Sequence, residues 1–111
     1  MTRQIEESDL KLFRQLHAVA LERFCQRVLA ESDLQHRDTT RSAHERYLAI
    51  HQFFRQRDKE LARLFDDLRR STALMQLAAI KAHGLLTEEE FARFSSETQN
   101  LVAVLLGDSP V

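Results

Sequence analysis

The chain has 111 residues, of which 43% are hydrophobic and 30% charged, and its formal net charge is −1. This composition is typical of one folded domain and excludes a disordered polar tail, and the near-neutral charge gives no overall preference for nucleic acid or anionic membranes. Only two glycines and one proline occur. Because a β-rich protein of this length needs more turn residues, their scarcity predicts an all-α fold.

The first predicted helix spans about residues 8–31. Its apolar residues recur at steps of three and four, the spacing of one face of an α-helix. These residues are Leu10, Phe13, Leu16, Ala20, Phe24 and Val28. The polar stretch 31–42 that follows contains several cap-forming residues, so it is predicted to connect the first helix to the second.

The second predicted helix is long, at about residues 41–83. Tyr47, Phe54, Leu61, Leu68 and Met75 repeat every seven residues, which is a seam resembling that of a coiled coil. Residues 73–82 are apolar nearly all round, as in a helix that is buried on several sides. The change in apolar face near Ser71 favours a bend or break, although one helix continuous through Ser71 remains an alternative.

The third predicted helix spans about residues 88–106. Thr87 and Glu90 have the spacing of a capping box, in which each side chain bonds to the other residue's backbone N–H. Gly84 is placed to end the preceding helix in a left-handed conformation. Gly107 is expected to end the third helix, and residues 108–111 are expected to form a frayed tail.

Three helices with short connections predict an antiparallel bundle. The second helix is much longer than its neighbours, so either it breaks or its uncovered part packs against another chain. We expect a homodimer on this ground. The residues predicted for the self-interface are Leu74, Leu77, Ala78 and Ile80, with Phe53 and Phe54 as a second apolar spot. The alternative for each of them is burial in the chain's own core.

Residues that could carry chemistry are scattered. His44 and His51 are seven residues apart, too far along a helix to bind one metal ion together. Cys25, the single cysteine, is predicted to be a small buried residue, since a reactive thiol needs a cationic neighbour or a helix N-terminus. No phosphate-binding loop and no nucleophile motif is present. The sequence therefore predicts no catalytic residue, no metal and no cofactor.

One segment, Ala82-His83-Gly84-Leu85 with Phe91 and Gln99 after it, resembles the third-helix region of the all-helical chorismate mutases. The resemblance covers less than a fifth of the chain. That family clamps a dicarboxylate with cationic groups on its first helix, which here carries Arg14, Arg23 and Arg27. Glu31 stands where a further arginine is needed, so an enzyme of this kind is the weakest of the functional hypotheses.

The leading hypothesis is a non-enzymatic helical adaptor or structural protein that acts through self-association and through contacts with another protein. The first alternative is a nucleic-acid-associated regulator that uses arginines of the 37–57 region, and we expect nucleic acid not to be the partner because acidic residues interrupt the basic ones. Those arginines are Arg37, Arg41, Arg46, Arg55 and Arg57. With no secretion signal and no apolar run long enough to span a membrane, a cytoplasmic location is expected.

Overall fold

The computed structural model describes residues 5–107, and this range is helical throughout apart from its connections, with no strand. The prediction of an all-α fold is confirmed. Five helices follow one another within the described range: α1 (Glu7–His36), α2 (Ala43–Phe65), α3 (Ala73–Ala82), α4 (Glu88–Phe91) and α5 (Ser96–Leu105). The predicted frayed tail, residues 108–111, lies outside the described residues.

Helix α1 is the longest element and carries the apolar stripe on which the core is built. The stripe predicted for the first helix is buried from Leu10 to Phe24, with Phe13 and Ala20 fully buried. Residues of the other helices pack against it, including Leu64, Phe65, Leu77, Ile80 and Val102. Burial of these side chains supplies the main driving force for folding.

The predicted second helix is divided into α2 and α3 by a connection at residues 66–72. The chain leaves α2 at Asp66, whose backbone is extended, and the next residue, Asp67, adopts a left-handed conformation with φ at 63°. The Thr72 hydroxyl donates to the Asp67 carbonyl at 2.8 Å and accepts from the Arg69 N–H at 3.0 Å, which holds the turn closed. The chain therefore contains the break rather than a continuous helix, and Ser71 lies within it.

Helix starts and stops follow the capping chemistry of the sequence. Thr87 and Glu90 form the predicted capping box at the start of α4, and Gly84 has the predicted positive φ, at 68°. A second capping box, between Ser42 and Glu45, starts α2. Its Ser42 hydroxyl accepts from the Glu45 N–H, so the second helix begins at Ala43 instead of residue 41.

The predicted third helix is also divided, because α4 ends at Phe91 and α5 begins at Ser96. Ser95 caps α5, and Phe94 is buried in the gap between the two helices. The buried carboxylate of Asp9 accepts hydrogen bonds from the Ser95 N–H at 3.0 Å, the Ser95 hydroxyl at 2.6 Å and the Thr98 hydroxyl at 2.7 Å. Asp9 thereby fastens the start of α5 to the start of α1.

The described chain is elongated, with principal extents of 55 × 26 × 24 Å. Hydrogen bonds that Asp9 accepts and that Arg23 and Arg27 donate hold the segment 83–98 against the N-terminal three-quarters of α1. The rest of α1 extends beyond α3, α4 and α5 with only α2 beside it. Within residues 5–107 we find no helix long and apolar enough to cross a membrane.

We expect Asp9→Asn to destabilise the fold by about 1–3 kcal/mol, because an amide leaves a hydroxyl or N–H donor of Ser95 or Thr98 without its acceptor. Burial raises the pKa of Asp9, but the hydrogen bonds from Ser95 and Thr98 outweigh burial and leave that pKa below its ordinary value. Urea denaturation at neutral pH measures the loss. The matched control is Glu7→Gln, since the Glu7 side chain is 81% exposed; an equal loss in both variants would contradict this role for Asp9.

Candidate functional site

The most unusual part of the molecule is the free end of the α1–α2 hairpin, which we call the hairpin arm and define as residues 25–52. No residue of the arm is buried, whereas the core begins immediately on either side of it, at Phe24 and at Phe53. The arm nevertheless consists of well-formed helices joined by the short connection 37–42. Two helices side by side can cover only one stripe of each other, so their remaining apolar residues stay open to solvent.

Large apolar side chains are exposed on the arm. The exposed fraction is 62% for Leu29, 71% for Leu34, 67% for Tyr47 and 51% for Leu48. Scattered exposed apolar residues are normal on a protein surface, but apolar residues that line one concavity mark a binding surface. The arrangement of these four residues therefore decides whether the arm is a site.

Two adjoining depressions, of about 410 and 490 Å³, lie along one face of the arm and share His36 and Ile50. We call them together the hairpin groove. Both helices line it at helical spacing, with Leu29, Asp33 and His36 on α1 and Ala43, Tyr47, Ile50, His51 and Phe54 on α2. Leu29 and Tyr47 thus face the groove, while Leu34 and Leu48 do not line it. The groove therefore combines apolar residues of both helices with polar groups, among them Asp33, His36, Arg46 and His51.

The groove contains part of the seven-residue seam recognised in the sequence. Tyr47 and Phe54 belong to that seam, and they line the groove with the half-step residue Ile50 between them. Leu61 continues the seam toward the core and is half-buried. A seam of this kind is the surface that a coiled-coil or bundle helix presents to its partner.

The residues predicted for the self-interface fall into two groups. Leu77, Ala78 and Ile80 on α3 are buried inside the chain itself, and Leu74 is half-buried against the same core. Phe53 is also buried, under the guanidinium of Arg57, whereas Phe54 is half-buried and lines the hairpin groove. The alternative of burial within the chain accounts for Leu77, Ala78, Ile80 and Phe53, and Phe54 is the member that the groove presents to solvent.

Arg23 and Arg27 have structural partners. Arg23 donates to both carboxylate oxygens of Glu90, at 2.6 and 3.0 Å, and to the Leu85 carbonyl at 3.0 Å. Arg27 donates to the carbonyls of His83 and Gly84, at 2.7 and 2.6 Å. Both guanidinium groups therefore hold the turn between α3 and α4 against α1. The cationic clamp of a chorismate-mutase-like site would need the same guanidinium groups for its substrate.

Three of the five arginines proposed for nucleic acid also have partners in the chain. Arg37 pairs with Asp33 at 2.7 Å, Arg57 pairs with Glu60 at 2.9 Å, and Arg46 donates to the His36 carbonyl at 2.9 Å. Arg41 and Arg55 are exposed. Since phosphate binding needs a cluster of free cationic groups, this arrangement gives little support to a nucleic-acid site.

Groups suited to metal or thiol chemistry are dispersed as well. Among residues 5–107 no set of three or more His, Cys, Asp or Glu side chains is placed to hold a metal ion. Cys25 is half-buried at the inner end of the arm. His17 bonds to the Phe65 carbonyl at 3.0 Å, between the rings of Phe13 and Phe65, so it is part of the packing.

Comparisons with known protein families, with curated proteins and with solved structures found no match to this chain. The hairpin groove is therefore interpreted from its own geometry and chemistry.

The Arg23–Glu90 pair has a consequence for stability at low pH. Hydrogen bonds from Arg23, reinforced by the Thr87 N–H, lower the pKa of Glu90 from 4.5 to about 2. A carboxyl with a lowered pKa stabilises the fold above its unfolded-state pKa, and that stabilisation is lost as the pH falls toward the folded-state pKa. The pair therefore contributes fully at neutral pH and progressively less between about pH 4.5 and 2.

We expect Glu90→Gln to be less stable than the wild type at pH 7 and to approach it as the pH falls from about 4.5 to 2, because the wild type then loses the same ion pair. Thermal or urea unfolding across this pH range measures the difference. Glu89→Gln is the matched control, since Glu89 is exposed on the same short helix. A constant gap between the wild type and Glu90→Gln at all pH values would contradict the assignment.

Proposed function

We propose that this protein is a non-enzymatic helical adaptor that forms a homodimer through its hairpin arm and presents the remaining surface to another protein. The observation that carries the proposal is the absence of any buried residue in the arm, residues 25–52, together with the apolar groove along one of its faces. A hairpin that leaves its apolar seam open is half of a four-helix bundle, and a second hairpin completes it.

The chemistry of the groove supports a protein partner rather than a small substrate. Leu29, Ile50 and Phe54 are among its lining residues, and Tyr47 supplies a large aromatic side chain of the kind enriched in protein interfaces. The groove is shallow and open along its length, whereas small-molecule sites enclose most of their ligand. The single half-buried thiol, Cys25, is compatible with a reducing compartment, and we place this role in the cytoplasm.

The proposed interface is the hairpin groove and replaces the α3 residues in that role. Leu77, Ala78 and Ile80 are already used by the chain's own core, so the tendency to dimerise is assigned to Phe54 and its neighbours in the groove. A substitution such as Leu77→Asp would not test dimerisation, because a charge at this fully buried position would unfold the chain.

We expect the wild type to sediment as a dimer and Leu29→Glu or Tyr47→Glu to weaken that dimer at least about tenfold, because each places a carboxylate in the apolar groove. Both residues are more than half exposed in the single chain, so both variants are expected to keep wild-type helicity and thermal stability. Analytical ultracentrifugation and native mass spectrometry measure the association, and circular dichroism measures folding.

The matched control is Leu34→Glu, the same change on the same helix at a residue that is 71% exposed and does not line the groove. It is expected to leave the dimer unchanged. A monomeric wild type, or dimers that all three substitutions weaken equally, would be incompatible with self-association through the groove.

A further inference from the structure

We infer that two copies of this chain pair tip to base, through a twofold axis that crosses the hairpin grooves at the level of Leu29 and Phe54. This inference rests on the proposed function and specifies the geometry of its dimer. In this arrangement α1 packs against α1 of the second copy and α2 against α2, each pair running antiparallel. The free end of each arm then lies over the part of the other hairpin that is nearer the core.

The position of the axis follows from the register of the α1–α2 hairpin. Arg46 reaches the His36 carbonyl near the tip, and His17 reaches the Phe65 carbonyl near the core. The antiparallel register between these two contacts places Leu29 of α1 level with Phe53 of α2, next to Phe54. Leu29 and Phe54 both line the groove, so an axis at this level passes close to the apolar part of both helices.

The groove-lining Asp33 and Arg46 lie on the tip side of that level and have partners within the chain, Arg37 and the His36 carbonyl. Four further polar groups lie on two lines, each with an acid on the core side. Glu22, Leu29 and His36 are spaced seven residues apart, so they share one line on α1, with the acid toward the core and the histidine toward the tip. On α2, His51 and Asp58 share a second such line, again with the acid toward the core. All four of these polar residues are exposed in the single chain.

A tip-to-base pairing brings opposite groups together. The axis at Leu29 places His36 of one copy opposite Glu22 of the other, since both lie seven residues from it. On α2, His51 lies three residues and Asp58 four residues from Phe54, on opposite sides of it, so the same axis brings these two residues to nearly the same level. Such complementary pairs contribute little affinity at a solvent-exposed rim, but they select the orientation of the partner.

The same axis also matches the apolar residues. Tyr47 and Leu61 lie seven residues on either side of Phe54, so the large exposed ring of Tyr47 covers the half-buried Leu61 of the second copy. The seven-residue seam of α2 therefore pairs with itself in antiparallel register, as in an antiparallel four-helix bundle.

The other symmetric arrangement, tip to tip with α1 against α2, is disfavoured by charge. It would bring Glu22 near Asp58 of the second copy, two acids, and it would place His36 beside Arg46 instead of beside an acid. Like charges placed opposite one another across an interface are the usual means by which a wrong orientation is rejected.

The size of the face is sufficient for a dimer. From Ala18 to His36 the exposed line of α1 is about 27 Å long at 1.5 Å per residue, and two packed helices are about 20 Å wide. Two such faces together cover on the order of 1,000 Å² before side-chain relief is counted, close to the roughly 1,200–2,000 Å² of specific protein interfaces. Because this area is at the low end for specific interfaces, dimer formation is measured at protein concentrations up to about 100 µM.

The test is site-specific disulfide cross-linking of the full chain in a Cys25→Ala background, which removes the native thiol. Leu29→Cys places a thiol at the proposed axis, within disulfide reach of its symmetry mate. Thr40→Cys places a thiol at the tip. His36 already lies seven residues, or about 10 Å, from the axis, and Thr40 lies beyond it, so the two Thr40→Cys thiols would be more than about 20 Å apart. Leu34→Cys, on α1 but outside the groove, measures random collision.

We expect rapid covalent dimer formation with Leu29→Cys under mild oxidation, and cross-linking with Thr40→Cys no faster than with Leu34→Cys. Sedimentation of the reduced proteins shows whether each variant still associates. Fast cross-linking through Thr40→Cys would overturn the tip-to-base arrangement while leaving a dimer. Dimers in which Leu29→Cys cross-links no faster than Leu34→Cys would also overturn it. A background protein that is folded but monomeric at about 100 µM would overturn both the inference and the proposed function.

Discussion

Burial of the apolar stripe of α1 is the interaction on which the rest of the fold depends. From Leu10 to Phe24 this stripe gives α2, α3 and the C-terminal segment a common surface, and the polar contacts of Asp9 and Arg23 fix their positions on it. The stripe covers only part of α1, because the elements that pack on it end near Arg27. The same packing that builds the core therefore leaves the outer part of the hairpin without a third layer. The candidate site exists because α1 and α2 are longer than the elements that pack against them.

The local signals in the sequence were the most reliable guides to the fold. The capping box at Thr87 and the helix end at Gly84 depend on neighbouring residues alone, and both are present as predicted. The break at residues 66–72 contains no glycine or proline to mark it, so the sequence leaves a continuous helix open as an alternative. The break depends on the left-handed conformation of Asp67 and on its bond to Thr72. The gap before α5 is harder to predict from local sequence. Ser95 caps α5 by accepting from the Thr98 N–H, but the Asp9 carboxylate that holds Ser95 in place lies 86 residues away in sequence.

The candidate site was harder to predict than the fold. An apolar stretch such as residues 73–82 predicts burial, but it does not indicate whether the residues that cover it belong to the same chain or to a second one. The structure assigns Leu77 and Ile80 to the chain's own core. The surface left open near the hairpin tip is instead the first part of the seven-residue seam, around Tyr47 and Phe54, where the pattern is no different from that at Leu61 and Leu68, which are half-buried. Only the three-dimensional lengths of the helices distinguish the two parts.

The lack of buried side chains in the hairpin arm also affects how readily the arm opens locally. Amide protection against solvent exchange follows the free energy of the local opening that exposes each hydrogen bond, and segments with few buried contacts open without unfolding the rest. The arm should therefore exchange its amide hydrogens faster than α3 and the Leu10–Phe24 half of α1, with a boundary near Phe24 and Phe53. A partner that covers the groove would slow amide exchange in the arm and leave the exchange of the core unchanged. Binding to the arm can therefore be detected from the exchange rates of these two regions.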